Sequence, residues 1–358
     1  MFEKKHFAVA VVVAAAFAAP KIHAAPNVPM KMGNTTIRVD AQQKRVLDEL
    51  TTFNSPPVRF LTPHNARNLP SPTTAVMSLL SKRSKPVFEP VGDVSHLVIR
   101  TPDGRQILSR VYRPRGMAKA KNLPVLMYFH GGGFVFANLD TYDPSCRALS
   151  NAAKAMVISV AYRQAPENPF PAAPEDAYAA TQWAMNNIQN HGGDPRRVAV
   201  SGESAGGNLA TVVCLMARDR RGKMPVHQLL VYPVTTWETS DQPSVVKYAK
   251  AKPLDTPMLA WFRGHYLKNP NDINNPYASP LKANLRGLPA ATVVAAEIDP
   301  LQSQGIQYVV KLRSAGVPVE YRLYRNVAHE FFGQGAVVAK AKQAVAFSAA
   351  RLKMAYRK

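Results

Sequence analysis

The spacing of apolar residues changes character near residue 94. Before that point the pattern is helical or broken. Asp40 stands ahead of Val46, Leu47, Leu50 and Phe53, which share one face at helical spacing. A capped helix is therefore predicted to run to about Phe53, where Pro56-Pro57 stops it. Residues 27–34 read as an extended linker, and Pro63, Pro70 and Pro72 allow only short helices over 61–85. From residue 94 the period drops to two. Strands are predicted over 95–100 and 106–112, flanking the turn Pro102-Asp103-Gly104. A short apolar run over 125–129, bounded by Pro124 and glycines, reads as a buried strand.

Strands and helices then alternate. Helices are predicted over 142–153, 174–190, 205–217, 303–315 and 337–356, and strands over 156–161, 198–201, 229–232, 292–296 and 319–324. An antiparallel start followed by βαβ alternation predicts an α/β fold, with a mostly parallel central sheet covered by helices on both faces. The rhythm lapses over about 234–287, where Trp237, Tyr248, Trp261, Phe262 and Tyr266 sit among prolines and polar residues. That stretch reads as an insertion between two strands, where such sheets carry ligand-facing elements. The expected organisation is a leader over 1–25, a linker and cap segment over 26–90, and a catalytic domain over 91–358.

One apolar run stands apart. Glu3-Lys4-Lys5-His6 precedes residues 7–19, nearly all Ala, Val and Phe, and small residues follow at Ala24-Ala25. This is the pattern of a secretory signal peptide cleaved after Ala24 or Ala25, with an uncleaved anchor as the alternative. The run is too short to span a bilayer comfortably. Export to the periplasm or the medium is the expectation.

The chain carries 45 Lys and Arg against 23 Asp and Glu, a formal net charge of +22. The cations are dispersed, without an aromatic-interleaved patch or a basic helix, so no specific nucleic-acid partner is expected. Cys146 and Cys214 fall in separate predicted helices and read as two buried thiols, with a disulfide as the alternative. Neither a C-x-x-C pair nor an H-E-x-x-H motif occurs, so no metal site is expected.

The chemistry gathers at the ends of the predicted strands. Gly202-Glu203-Ser204-Ala205-Gly206 fits G-x-S-x-G between a strand and a helix, a turn that lifts a serine hydroxyl above a sheet. Glycines two before and two after leave room for the tight approach, and the helix N-terminus favours developing negative charge. Ser204 is the candidate nucleophile. His130-Gly131-Gly132-Gly133 follows the strand at 125–129. Amides of Gly132 and Gly133, with that of Ala205, are the candidate oxyanion donors. His130 reads as a residue that orients this loop. Among nine histidines, His329 follows the last predicted strand and is the candidate base. Asp299, on the loop after the preceding strand, is the candidate acid, with Glu297 as the alternative. Glu203 has no evident role.

These stretches together resemble the hormone-sensitive-lipase-like esterases, the α/β-hydrolases that carry H-G-G-G and G-[DE]-S-A-G-G-N. The similarity extends over roughly 94 to the C-terminus and includes Tyr162-Arg163-Gln164-Ala165-Pro166-Glu167 and Gly193-Asp194-Pro195-Arg196. It implies an α/β-hydrolase fold, a helical cap built from the N-terminal segment and the insertion, and hydrolysis of esters with short to medium acyl chains. A small-molecule ester is then the partner, no cofactor is needed, and a homodimer is a candidate assembly. A lipase, an amidase-like hydrolase or a non-catalytic receptor are the competing readings. The receptors of this fold lack the triad histidine, which His329 supplies here. Departures are Tyr142 where the family has His, Gln164 and Asn168 in the Y-R-L-A-P-E-H segment, and Glu330 where Gly follows the histidine.

Overall fold

The computed structural model describes residues 26–32, 35–101 and 103–357. The expected leader over 1–25 and Pro102 of the predicted turn lie outside the described residues. The chain opens with a hairpin of β1 (Asn27–Met32) and β2 (Thr35–Asp40), then α1 (Ala41–Thr52), α2 (Pro63–Ala66) and α3 (Pro72–Ser81). Next come β3 (Asp93–Arg100), β4 (Gln106–Arg113), β5 (Leu123–Phe129), α4 (Asp143–Ala153), β6 (Met156–Val160) and α5 (Ala172–Asn187). They are followed by β7 (Gly193–Glu203), α6 (Ala205–Asp219) and β8 (Gln228–Val231). The insertion holds α7 (Pro243–Lys247) and α8 (Thr256–Tyr266), and β9 (Ala291–Ile298), α9 (Gln302–Ser314), β10 (Val319–Ala328) and α10 (Ala339–Ala355) complete the chain.

The main sheet has eight strands in the order β10-β9-β8-β7-β5-β6-β4-β3. Only β4 runs against its neighbours, β3 and β6, and the other pairings are parallel. Strand periodicity sorts the core onto the two faces. Val125, Met127 and Phe129 of β5 pack with Leu209 and Val213 of α6, whereas Leu126 and Tyr128 pack with Leu149 of α4 and Leu352 of α10. Cys214 lies in the first cluster and Cys146 in the second, both buried and free. Among the described residues no helix is long and apolar enough to cross a membrane.

Two N-terminal expectations need correction. The stretch read as a linker contributes a strand, because Val28 and Met30 share one face and pair with Val39 and Ile37 of β2. Over 61–85, α3 reaches ten residues. Its proline is at the first helical position, where the missing N–H costs nothing, and Ser71 caps it.

Several contacts tie this N-terminal region to the rest of the chain. Arg67 forks onto Glu167 at 2.8 and 2.6 Å and donates to the carbonyls of Val135 and Ala165 at 2.9 Å each. Trp261 of α8 donates from Nε1 to the carbonyl of Leu61 at 3.1 Å. Asp40 caps α1 by accepting from the amides of Gln42 and Gln43, which fixes Gln43 opposite the end of β10. There Gln43 accepts from the Ala328 amide at 2.7 Å and donates to the Ala328 carbonyl at 3.3 Å. Ala328 immediately precedes His329, so α1 sets the position of that histidine. Gln43→Leu leaves a buried amide and carbonyl without partners and is expected to cost about 1–3 kcal/mol in urea unfolding. An unchanged unfolding midpoint would remove this clamp from the account.

Candidate active site

The elbow is built by close backbone contact. Ser204 follows β7 with φ +57° and ψ −115°, a left-handed position that side chains avoid unless the surroundings impose it. Its amide donates to the Val231 carbonyl at 2.9 Å, and its carbonyl accepts from the amides of Asn208 and Val234 at 3.1 Å each. A Cβ at Gly202 would run into the Gly206 carbonyl, and one at Gly206 would run into that of Phe129. Asn208 locks the far side by donating to the carbonyls of Val234 and Ala278 at 2.9 and 3.0 Å. Its role explains the asparagine of the motif, which spacing alone left without a purpose.

His329 and Asp299 meet at the adjacent strand ends. His329 Nδ1 lies 2.7 Å from Asp299 Oδ2, and both side chains are buried. An ionised carboxylate only accepts, so Nδ1 carries the proton and Nε2 keeps its lone pair. The other Asp299 oxygen accepts from the Leu301 amide at 2.8 Å. Burial pushes the imidazole down, but the adjacent Asp299 charge and hydrogen bond, reinforced by Glu330 and Glu203, leave it above its ordinary 6.5. Glu297, the alternative acid, instead accepts from the Asn326 amide.

Ser204 and His329 line one cavity of about 530 Å³, together with Gly132, Gly133, Tyr142 and Glu330. Apolar walls come from Leu50 and Leu69 in the N-terminal region and from Met258 and Phe262 in the insertion. Gly132 and Gly133 have φ +93° and +60°, and a Cβ on Gly133 would meet the Phe262 ring. Among the described residues, the amides of Gly132, Gly133 and Ala205 donate to no protein acceptor. The loop is braced by Gln164, which donates to the carbonyls of Phe136 and Ala137 at 2.8 and 2.9 Å. His130 turns away from the cavity. It stacks on Tyr162 with ring centroids 4.3 Å apart, and burial lowers it to about 4, so it stays neutral.

Sequence reasoning missed a ring of tyrosines and carboxylates under the site. Glu203 is fully buried and accepts from Tyr128 Oη at 2.5 Å and from Tyr232 Oη. Tyr232 in turn packs its ring 4.5 Å from that of His329. Tyr142 Oη donates to Glu330 Oε1 at 2.6 Å. The available signal was the departure of residues 142 and 330 from the family pattern. Among the described residues, no group of three or more His, Cys, Asp or Glu could hold a metal ion.

An elbow serine, a buried Asp–His pair and a glycine loop on the ends of a mostly parallel sheet coincide with a match, over residues 126–333, to the family described as alpha/beta hydrolase fold. The chain belongs to that family. This α/β hydrolase is 43% identical over 258 residues to Esterase LipI of Mycobacterium tuberculosis, covering 70% of this chain and 78% of that protein. It is 41% identical over 251 residues to Carboxylesterase NlhH of the same organism, covering 69% and 77%. Among solved structures, a Pyrobaculum calidifontis esterase superposes with a TM-score of 0.78 at 36% identity, over 88% of this chain and 98% of its own.

Glu203 is where this hydrolase should show its buried charge in bulk stability. Burial, with the Glu330 charge adding to it, raises its carboxyl from 4.5 to about 7. Because the folded value is the higher one, the native state holds this proton more tightly. The stability it contributes is complete below about 4.5 and is lost as pH rises to about 7. Glu203→Gln removes that slope, so the melting temperature of the variant should gain on wild type between those pH values. Parallel melting curves across that range would contradict the buried-carboxyl account.

Proposed function

We propose that this α/β hydrolase is a serine carboxylesterase for short- to medium-chain esters, with Ser204, His329 and Asp299 as its triad. The observation that carries this reading is the buried Asp299–His329 pair at 2.7 Å, facing the same cavity as the elbow serine. Ser204 Oγ attacks the ester carbonyl carbon as His329 Nε2 takes its proton. Asp299 holds the imidazole and stabilises its charge. The oxyanion forms against the amides of Gly132, Gly133 and Ala205. When the intermediate collapses, the alcohol leaves with the proton from His329 and Ser204 keeps the acyl group. Water then attacks with His329 again as base, releasing the acid and restoring the serine. The esterase names of the relatives support the reaction class, and the apolar cavity walls support an acyl chain of modest length.

The N-terminal segment and the 234–287 insertion act in this reading as the cap that shapes substrate entry. The basic start, apolar run and small residues before Asn27 support export to the periplasm or the medium. N-terminal sequencing of protein recovered outside the cytoplasm should begin at Ala25 or Pro26, and an intact Met1 there would end the export reading.

Ser204→Ala should reduce turnover of p-nitrophenyl butyrate by at least about 10³-fold with the fold intact, and retained turnover would end the triad assignment. A base must be neutral to act, and His329 is held above 6.5. The kcat/KM profile should therefore fall on the acid side through a limb above that value.

A further inference from the structure

Glu330 follows His329 directly, at a position where the family has glycine. Its backbone adopts φ +64°, the region where glycine is free and a glutamate is strained. Its side chain is about one-fifth exposed and opens on the cavity of Ser204 and His329. Glu330 Oε1 lies 3.7 Å from His329 Nε2, the ring nitrogen that the Asp299 contact at Nδ1 leaves free. That separation is too long for a hydrogen bond, so Nε2 remains available to Ser204. It is short enough for a strong effect of charge on charge. The carboxylate is fixed in place, because the buried Tyr142 donates to the same Oε1 at 2.6 Å and Gln334 holds the Glu330 carbonyl at 2.9 Å. Tyr142 and Glu330 are both departures from the family pattern, and in the fold they touch each other.

We propose that Glu330, anchored by Tyr142, is a positioning residue for His329, a second carboxylate that stabilises the imidazolium from its Nε2 side as the serine proton arrives. The proposal rests on His329 being the general base. The imidazole then sits between two acids, Asp299 at Nδ1 and Glu330 beside Nε2. The same proton moves as before, from Ser204 Oγ to His329 Nε2 and on to the leaving alcohol, and Glu330 exchanges none. The other groups facing His329 are the buried Glu203 at the end of β7 and the Tyr232 ring beyond β8, while Tyr142 at the start of α4 meets Glu330. Arg59, Arg67, Lys252 and Asp255 line the wider cavity, and Arg67 is engaged by Glu167.

Glu330→Gln separates charge from bracing, because its amide oxygen still accepts from Tyr142. In kcat/KM profiles on p-nitrophenyl butyrate from pH 5 to 9, the variant's acid limb should move down by about one pH unit. The plateau should fall by up to about tenfold, the fold-change equivalent to that unit. Tyr142→Phe frees the carboxylate and should move the limb in the same direction by less. NMR titration of His329 in a Ser204→Ala background, with and without Glu330→Gln, should give the same downward displacement without reference to turnover. A limb and a titration that coincide with wild type in the Gln variant would overturn the proposal. A wild-type profile lacking any histidine limb would overturn the base assignment beneath it.

Discussion

The fold converges on one steric constraint, the close approach of β7, the start of α6 and the end of β5 around Ser204. The left-handed serine is held because Gly202 and Gly206 let three carbonyl-bearing segments meet without side chains between them. Once that turn is made, the rest of the site has little freedom. The glycine loop after β5 must lie opposite the serine, since β5 and β7 pair in parallel and end together. The strand order then brings β8, β9 and β10 up on the other side, with their following loops on the same rim. Asp299 and His329 occupy the last two of those loops. Burial of the alternating β5 and β7 residues on both faces, at about 1.5–3 kcal/mol for each large side chain, maintains the arrangement.

Electrostatics make the second layer. Three carboxylates, Asp299, Glu203 and Glu330, lie in or beside a largely buried site. Tyrosine hydroxyls partly compensate two of them, Tyr128 and Tyr232 on Glu203 and Tyr142 on Glu330. Such groups donate hydrogen bonds without adding a positive charge that would compete for the carboxylates. The imidazole is thus the cation-forming group that they face together. Burial alone would keep it neutral, as it does His130. The contrast between the two histidines is set by the carboxylates around one and their distance from the other.

Much of this was legible in residue spacing. Two-residue alternation marked the strands, and the G-E-S-A-G-G-N and H-G-G-G stretches marked the serine and the loop facing it. Ser204, Asp299 and His329 could be ordered along the chain because loops after parallel strands share a rim. What spacing could not carry was long-range polar pairing. Nothing local to Gln43 indicates the Ala328 backbone as its partner, and nothing local to Glu203 indicates two tyrosines from other strands. The N-terminal hairpin was hidden because a short alternation among prolines and asparagines resembles a linker. The two family departures at 142 and 330 were visible separately, but only the fold shows that they form one contact.

The hydrogen bonds between Gln43 and Ala328 join residues 285 positions apart. The helix that steadies the His329 loop is therefore synthesised well before the strand end that it holds. A chain interrupted between the elbow and Ala328 carries the turn at Ser204 but lacks the histidine that the helix steadies. The histidine's place beside the elbow thus depends on a contact that no local stretch of chain can make, closed only once both distant segments are present.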